Sequence, residues 1–174
     1  MIGAETKELW EWIKSIIIAI LLALIIRAFL VEVFLVQGQS MLPTLHDRER
    51  LIVSKVQFYY REPLNGEIVV FKATDDRDFI KRVIGVAGDE VRVDIDGVYV
   101  NGQRLKEPYI LEKARETFGP VIVPEGTIFA MGDNRNNSMD SRHPSVGFVS
   151  LERLKGKAML VFWPMDSIRL ISHP

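Results

Sequence analysis

A mostly β fold behind one N-terminal transmembrane helix is the class this sequence predicts. Two observations predict it. Residues Ile13 to Val36 form one long apolar stretch. From Leu51 onward, short apolar runs alternate with turn signals, and no helix-period pattern exceeds one turn. The 174 residues are enough for one domain with a small inserted lobe. The predicted division is a tail over 1–12, an anchor over 13–33 and an antiparallel β-sheet domain over 34–174, with about 88–125 as the lobe.

The anchor rests on Ile16 to Ile26, which holds only aliphatic residues and Ala. Alone it is too short for ~30 Å of hydrocarbon, which takes about 20 residues. Extended to Leu35 it suffices, but Arg27 and Glu32 then fall inside. A charge at mid-membrane is costly, so Arg27 is expected to snorkel to the outer headgroups. Trp10 and Trp12 would mark the opposite interface. A cleaved leader would need an Ala-x-Ala site after the run, and none follows. A buried core helix is the other alternative, and β domains rarely bury one this apolar. Lys7 and Lys14 place the N-terminal side in the cytoplasm. Residues 31–37 leave the helix as a first, membrane-skimming strand.

Each later strand has its own signal. Leu51 to Val56 is a short apolar run, and Glu67 to Lys72 follows the turn residues Leu64, Asn65 and Gly66. Asp78 to Gly85 alternates, with Phe79, Lys81 and Val83 on one face and Ile80, Arg82 and Ile84 on the other. Val91 to Ile95, a turn at Asp96-Gly97, and Val98 to Val100 read as a hairpin, with Asn101-Gly102 as the next turn. Gly126 to Met131 and Lys157 to Trp163 are later strands, and Leu151 to Leu154 is one helical turn. Glu107 to Pro124 carries less pattern and belongs to the lobe.

Composition excludes several classes of chemistry. The net charge is −1 and Arg and Lys are scattered, which argues against nucleic acid as a partner. There is no cysteine, hence no disulfide, thiolate metal site or cysteine nucleophile. His46, His143 and His173 lie far apart, a spacing that does not suit a metal site.

Three clusters can carry chemistry: Gly38 to Leu45, Phe79 to Asp89, and Met131 to Arg142. Ser40 sits in a polar turn at the exit of the apolar stretch, close to a bilayer surface, where it would act on something else leaving that bilayer. A serine hydroxyl needs a base, and the candidates are Lys81 and His143. A lysine serves if burial keeps it neutral. Lys81 on an apolar strand face breaks the ordinary pattern, which is expected at functional sites. The structural readings stand beside these: Ser40 as a turn residue, Lys81 as an edge-strand gatekeeper, and 132–142 as a solvated loop of Asx turns.

Three motifs, in order, decide between them. Ser40-Met-Leu-Pro-Thr-Leu45, Lys81-Arg-Val-Ile-Gly-Val-Ala-Gly-Asp89 and Gly132-Asp-Asn-Arg-Asn-Asn-Ser-Met-Asp-Ser-Arg142 together resemble the bacterial type I signal peptidases (leader peptidases), of the short, single-anchor Gram-positive kind. The resemblance covers nearly the whole chain. It implies a serine endopeptidase of the bacterial cell membrane, spanning once, with a cytoplasmic N terminus and an extracytoplasmic catalytic domain. Its partners would be the lipid bilayer and signal-peptide-bearing preproteins, and no metal or organic cofactor would be needed. Ser40 would be the nucleophile and Lys81 the general base. Ser138 would hydrogen-bond and orient the lysine amine. Asp140 would pair with Arg142 and Asp133 with Arg82. Phe34, Val36 and Ile80 would line shallow pockets for small substrate side chains. The Ser40 N–H would supply one oxyanion donor. Some relatives add a serine hydroxyl two residues earlier, where this chain has Gly38, and some carry Asp where it has Asn136.

Two other classes fit less well. Self-cleaving Ser-Lys proteases of the SOS-repressor type carry a DNA-binding helical domain where this chain has its apolar stretch. A membrane-tethered β module that only binds peptides would not need Ser40, Lys81 and Ser138 together. Eukaryotic-type relatives carry His in place of the lysine base.

Overall fold

The computed structural model describes residues 2–74 and 76–172. His173, the chain ends Met1 and Pro174, and the side chain of Lys7 lie outside the described residues. Helix α1 runs from Ile2 to Ile25, continues as one π-helical turn over Ile26–Leu30, and passes into strand β1, Val31–Leu35. Among the described residues no helix is long and apolar enough to cross a membrane. This corrects the helical anchor expected over 13–33. Glu8, Glu11 and Lys14 belong to the same α-helix, which leaves only Ser15 to Ile25 free of charge. The helix then stops short of residue 33 because Val31 turns extended, at φ −140° and ψ 152°. Sheet pairing of Val31 with Ser54 and Val33 with Ile52 outcompetes another helical turn, as suits β-branched residues.

The rest is antiparallel sheet. The strands are β2 (Arg50–Ser54), β3 (Ile68–Thr74), β4 (Arg77–Val86), β5 (Glu90–Asp94), β6 (Gly97–Val100), β7 (Gln103–Arg104), β8 (Phe118–Ile122), β9 (Thr127–Met131), β10 (Val149–Ser150), β11 (Leu154–Trp163) and β12 (Arg169–Leu170). An eight-stranded sheet has the order β1-β2-β11-β3-β4-β9-β10, with β12 on β11. A four-stranded sheet, β7-β6-β5-β8, is built from residues 90–122. The β5–β6 turn falls at Ile95-Asp96, one residue before the expected position, because Gly97 already pairs with Asp94.

Three apolar clusters hold these layers together. One joins Val36, Met41 and Leu45 to Leu51, Val53, Ile68, Val70 and Val161. A second packs Ile84, Phe129 and Met131 of the large sheet against Val91, Val93 and Val98 of the small one. A third gathers Val69, Phe71, Val83, Ile128 and Val149. Strand β4 is therefore covered on both faces, and Lys81 to Gly85 are all buried. Each such aliphatic side chain contributes about 1.5–3 kcal/mol on burial, enough to hold one lysine inside the sheet.

Candidate active site

The Ser40 turn is a loop pinched at its base. Val36 N donates to Glu49 O at 2.8 Å, and Arg48 N donates to Val36 O at 2.9 Å. Gly38 turns the chain at φ +93°, a conformation that favours glycine, and its N–H donates to Asp47 Oδ1 at 2.7 Å. Met41 and Leu45 are buried and nail the turn to the first core. The half-buried Ser40 is left facing β4.

Lys81 comes from the middle of β4 and is 3% exposed. Its Nζ donates to Ser40 Oγ at 2.7 Å and to Ile80 O at 2.9 Å. It also lies 5.1 Å from the centre of the Phe79 ring. Burial lowers its pKa from 10.5 to about 8, and the charges of Asp140 and Asp133 oppose part of that fall. Among the described residues the Ser40 and Lys81 side chains thus meet at hydrogen-bond distance, and a lysine in this setting reaches its neutral form near neutral pH.

The 132–142 loop holds both partners. Asn134 N donates to Ser40 O at 3.0 Å, and Asn134 Nδ2 donates to Gln39 O at 3.0 Å. Asp140 is buried and takes a two-point contact from Arg142, with Nε to Oδ1 at 2.9 Å and an Nη to Oδ2 at 2.8 Å. Burial raises the Asp140 pKa, but Arg142 and the Gly132 N–H outweigh it, so the carboxyl stays below its usual range. Arg142 also donates to Arg135 O at 2.7 Å, which closes the loop on itself. Below it, Arg82 and Asp133 form a fully buried two-point pair at 2.8 and 2.7 Å. Thr44 Oγ1 donates to the same carboxylate at 2.5 Å, tying the serine turn to this pair.

Gly132 is where the serine turn and the loop touch. A Cβ there would strike both Ser138 Oγ and Ser40 O, closer than real Cβ atoms come. Gly132→Ala is expected to cost about 1–3 kcal/mol by overpacking and to lower turnover with it. Urea unfolding alongside rate measurement checks this; a variant with unchanged midpoint and rate would show that the loop gives way freely.

Several positions differ from expectation. Ser138 Oγ is buried and makes no hydrogen bond. It does not reach Lys81, whose amine is taken by Ser40 and Ile80 O. Ser138 instead sits against Gly132 and beside Asp140, where it favours the ionised carboxyl. Phe34 does not line the hollow beside Ser40. It lies two residues before Val36 on the same strand face, about 7 Å away, and packs on the first core with Lys155 Nζ 5.6 Å from its ring. The hollow, of about 190 Å3, is lined by Val36 and Ile80 together with Leu35, Met41, Phe79 and Met139. His143 is exposed and bonds Ser145, away from Ser40.

Two further residues bear on the loop and carried no local sequence signal. Arg135 is buried and paired to Glu107 at 2.6 Å. Tyr109 lies between guanidiniums, with Arg82 at 3.9 Å and Arg135 at 6.0 Å from its ring centre. Burial and the Glu107 charge raise its pKa to about 12, so it stays protonated. Asn136 bonds Glu112 and Lys113 O, and accepts from Arg115 N. All three contacts come from the stretch before β8.

Comparison with known proteins places this geometry in a family. The family described as signal peptidase, peptidase S26, matches residues 9–163. A signal peptidase I of Bacillus licheniformis is 46% identical over 176 aligned positions, covering 95% of this chain and 94% of that one. Signal peptidase I T of Bacillus subtilis strain 168 is 44% identical, covering 95% and 91%. A crystal structure of a signal peptidase I from Enterococcus faecalis V583 is 30% identical, with a TM-score of 0.49, and covers 56% of this chain and 97% of that one. The paired Ser40 and Lys81, and the match over nine-tenths of its length, have one conclusion: the chain belongs to the signal peptidase family, peptidase S26.

Proposed function

We propose that the chain is a serine endopeptidase that removes N-terminal signal peptides from exported preproteins through a Ser40–Lys81 dyad. The observation that carries this is the 2.7 Å contact between Lys81 Nζ and Ser40 Oγ, with the amine buried. Neutral Lys81 takes the Ser40 proton as Oγ attacks the scissile carbonyl. The resulting ammonium protonates the leaving amine, and a water deprotonated by Lys81 then hydrolyses the acyl-enzyme. Ile80 O, and not Ser138, orients the amine.

The sheet supports a binding mode. β9 pairs with β4 only from Arg82 to Val86, while β3 pairs along Arg77 to Arg82. The edge of Arg77 to Lys81 on the β9 side therefore accepts an extended chain by β-addition. Small side chains one and three residues before the cut enter the hollow beside Val36 and Ile80, whose size rejects larger ones. The Ser40 N–H stabilises the oxyanion. Gly38 offers no hydroxyl, and its N–H is engaged by Asp47. Losing one such donor typically costs 10²–10³ in rate.

The N-terminal segment places the reaction at a membrane. Its apolar side chains point outward, with Ile16, Leu21, Leu24 and Phe29 all more than half exposed. Ile13 to Leu30, counted as α-helix, spans about 27 Å, close to a hydrocarbon thickness. It anchors the chain in a single pass, with Arg27 and Lys14 reaching opposite headgroup layers, the N terminus cytoplasmic and the β domain outside.

The test is incubation of the full chain in detergent with a preprotein, followed by sequencing of the product N terminus, and labelling by a serine-directed penem. Cleavage at a single site and acylation of Ser40 are expected; neither cleavage nor label would refute the reading. Because the base must be neutral, and its neutral fraction grows as pH rises toward about 8, kcat/KM should climb about tenfold per unit below that point. It should level above it. A rate that falls between pH 6 and 8 would contradict a lysine base.

A further inference from the structure

A second hollow lies across the 132–142 loop from the first. It measures about 460 Å3, and its wall includes Arg115, Thr117, Asn136, Ser138 and Arg142, with Glu116 as its carboxylate. Ser138 and Met139 are consecutive, yet Ser138 faces this hollow and Met139 the other. The backbone at 138–139 is thus the partition between them. Gly132 brings Ser138 Oγ and Ser40 O within one residue's thickness of each other, so the second hollow lies directly behind the serine turn.

Its chemistry differs from that of the first. The first is apolar around Val36 and Ile80; the second is polar and carries excess positive charge. Arg115 pairs with Glu112 at 2.8 Å, but both side chains are well exposed, a contact that exchanges at little cost. Arg142 spends Nε and one Nη on Asp140 and Arg135 O, and its Nη1 has no acceptor among the described residues. Ser138 Oγ is buried there without a partner. An extended substrate whose residues before the cut fill the first hollow must carry its later residues past Ser40, toward the other side of the partition.

We propose that this second hollow is a subsite for the mature side of the substrate, and that it favours an acidic side chain within the first three residues after the cut. This rests on the signal-peptide reading above. The test uses one preprotein with Asp, Asn or Lys placed in turn at each of those three positions. The unaltered enzyme and Arg115→Glu are compared by kcat/KM. The unaltered enzyme should prefer Asp over Lys at one position by about fivefold or more, and Arg115→Glu should abolish or invert that ratio. Equal ratios in the two enzymes would overturn the subsite. So would an equal shift in Lys106→Glu, an exposed charge reversal elsewhere in the lobe, since the effect would then be a long-range field. No cleavage of any substrate by the unaltered enzyme would instead remove the reading on which the subsite rests.

Discussion

Replacing Lys81 by methionine is expected to abolish turnover while leaving the fold at least as stable. Ser40 then has no base within reach, since Lys81 Nζ is the group at 2.7 Å and His143 bonds elsewhere. Losing one member of a nucleophile–base unit typically costs 10⁴-fold or more in kcat, and Ser40→Ala should fall as far. The stability half follows from burial. The folded chain holds Lys81 at about 8 against an ordinary 10.5, so folding opposes its charged form by about 3 kcal/mol below pH 8. Between pH 8 and 10.5 the unfolded chain keeps a proton that the folded chain has released, so this group's contribution to stability rises with pH across that window. Methionine fills similar volume without the charge. Denaturant unfolding at pH 7 and pH 10 should show the variant ahead at the lower pH, with the gap narrowing at the higher. A Lys81→Met enzyme within tenfold of normal turnover would end the dyad.

Asp133→Ala should be the most destabilising single change at the site. Arg82 and Asp133 are 1% and 0% exposed, and the carboxylate also accepts from Thr44. Removing it leaves a buried guanidinium without its counter-charge, which typically costs about 3–5 kcal/mol. That is a large share of the 5–15 kcal/mol that holds an ordinary domain together. The double variant Arg82→Met/Asp133→Leu should recover much of the loss, because an apolar pair of similar size carries no uncompensated charge. Urea midpoints of the two singles and the double test this. A single variant within 1 kcal/mol of normal would mean that water reaches Arg82.

How much of this was legible beforehand depended on how local the signal was. The alternation at Asp78 to Gly85 announced β4, and with it a lysine on an apolar face. The hairpin from Val91 to Val100 was readable from its turn residues, though one position late. The strand at Phe118–Ile122 was not, because Gly119 and Pro120 interrupt its alternation. The two-residue strands β7, β10 and β12 are too short for any period. The end of α1 was misplaced because hydropathy sees Val31 to Leu35 as more of the same apolar run, whereas pairing with β2 makes it sheet. Beside Ser40, Met41 and Met139 looked like ordinary hydrophobic residues. Glu107, Tyr109 and Arg135 were invisible, since their partners lie 25 or more positions away.

That last group has a consequence for how the chain tolerates insertions and deletions. The stretch from Glu107 to Arg115 reaches the 132–142 loop three times: through Glu107 on Arg135, Tyr109 between two guanidiniums, and the Glu112–Arg115 turn on Asn136. The hairpin tips at Ile95-Asp96 and Asn101-Gly102 are exposed, and an added residue there would lengthen a loop in solvent at small entropic cost. A shortened lobe that kept both tips but lost Glu107 to Arg115 would lose a wall of the catalytic loop instead. Any trimmed version of this domain must therefore still deliver one carboxylate and one aromatic face to that loop.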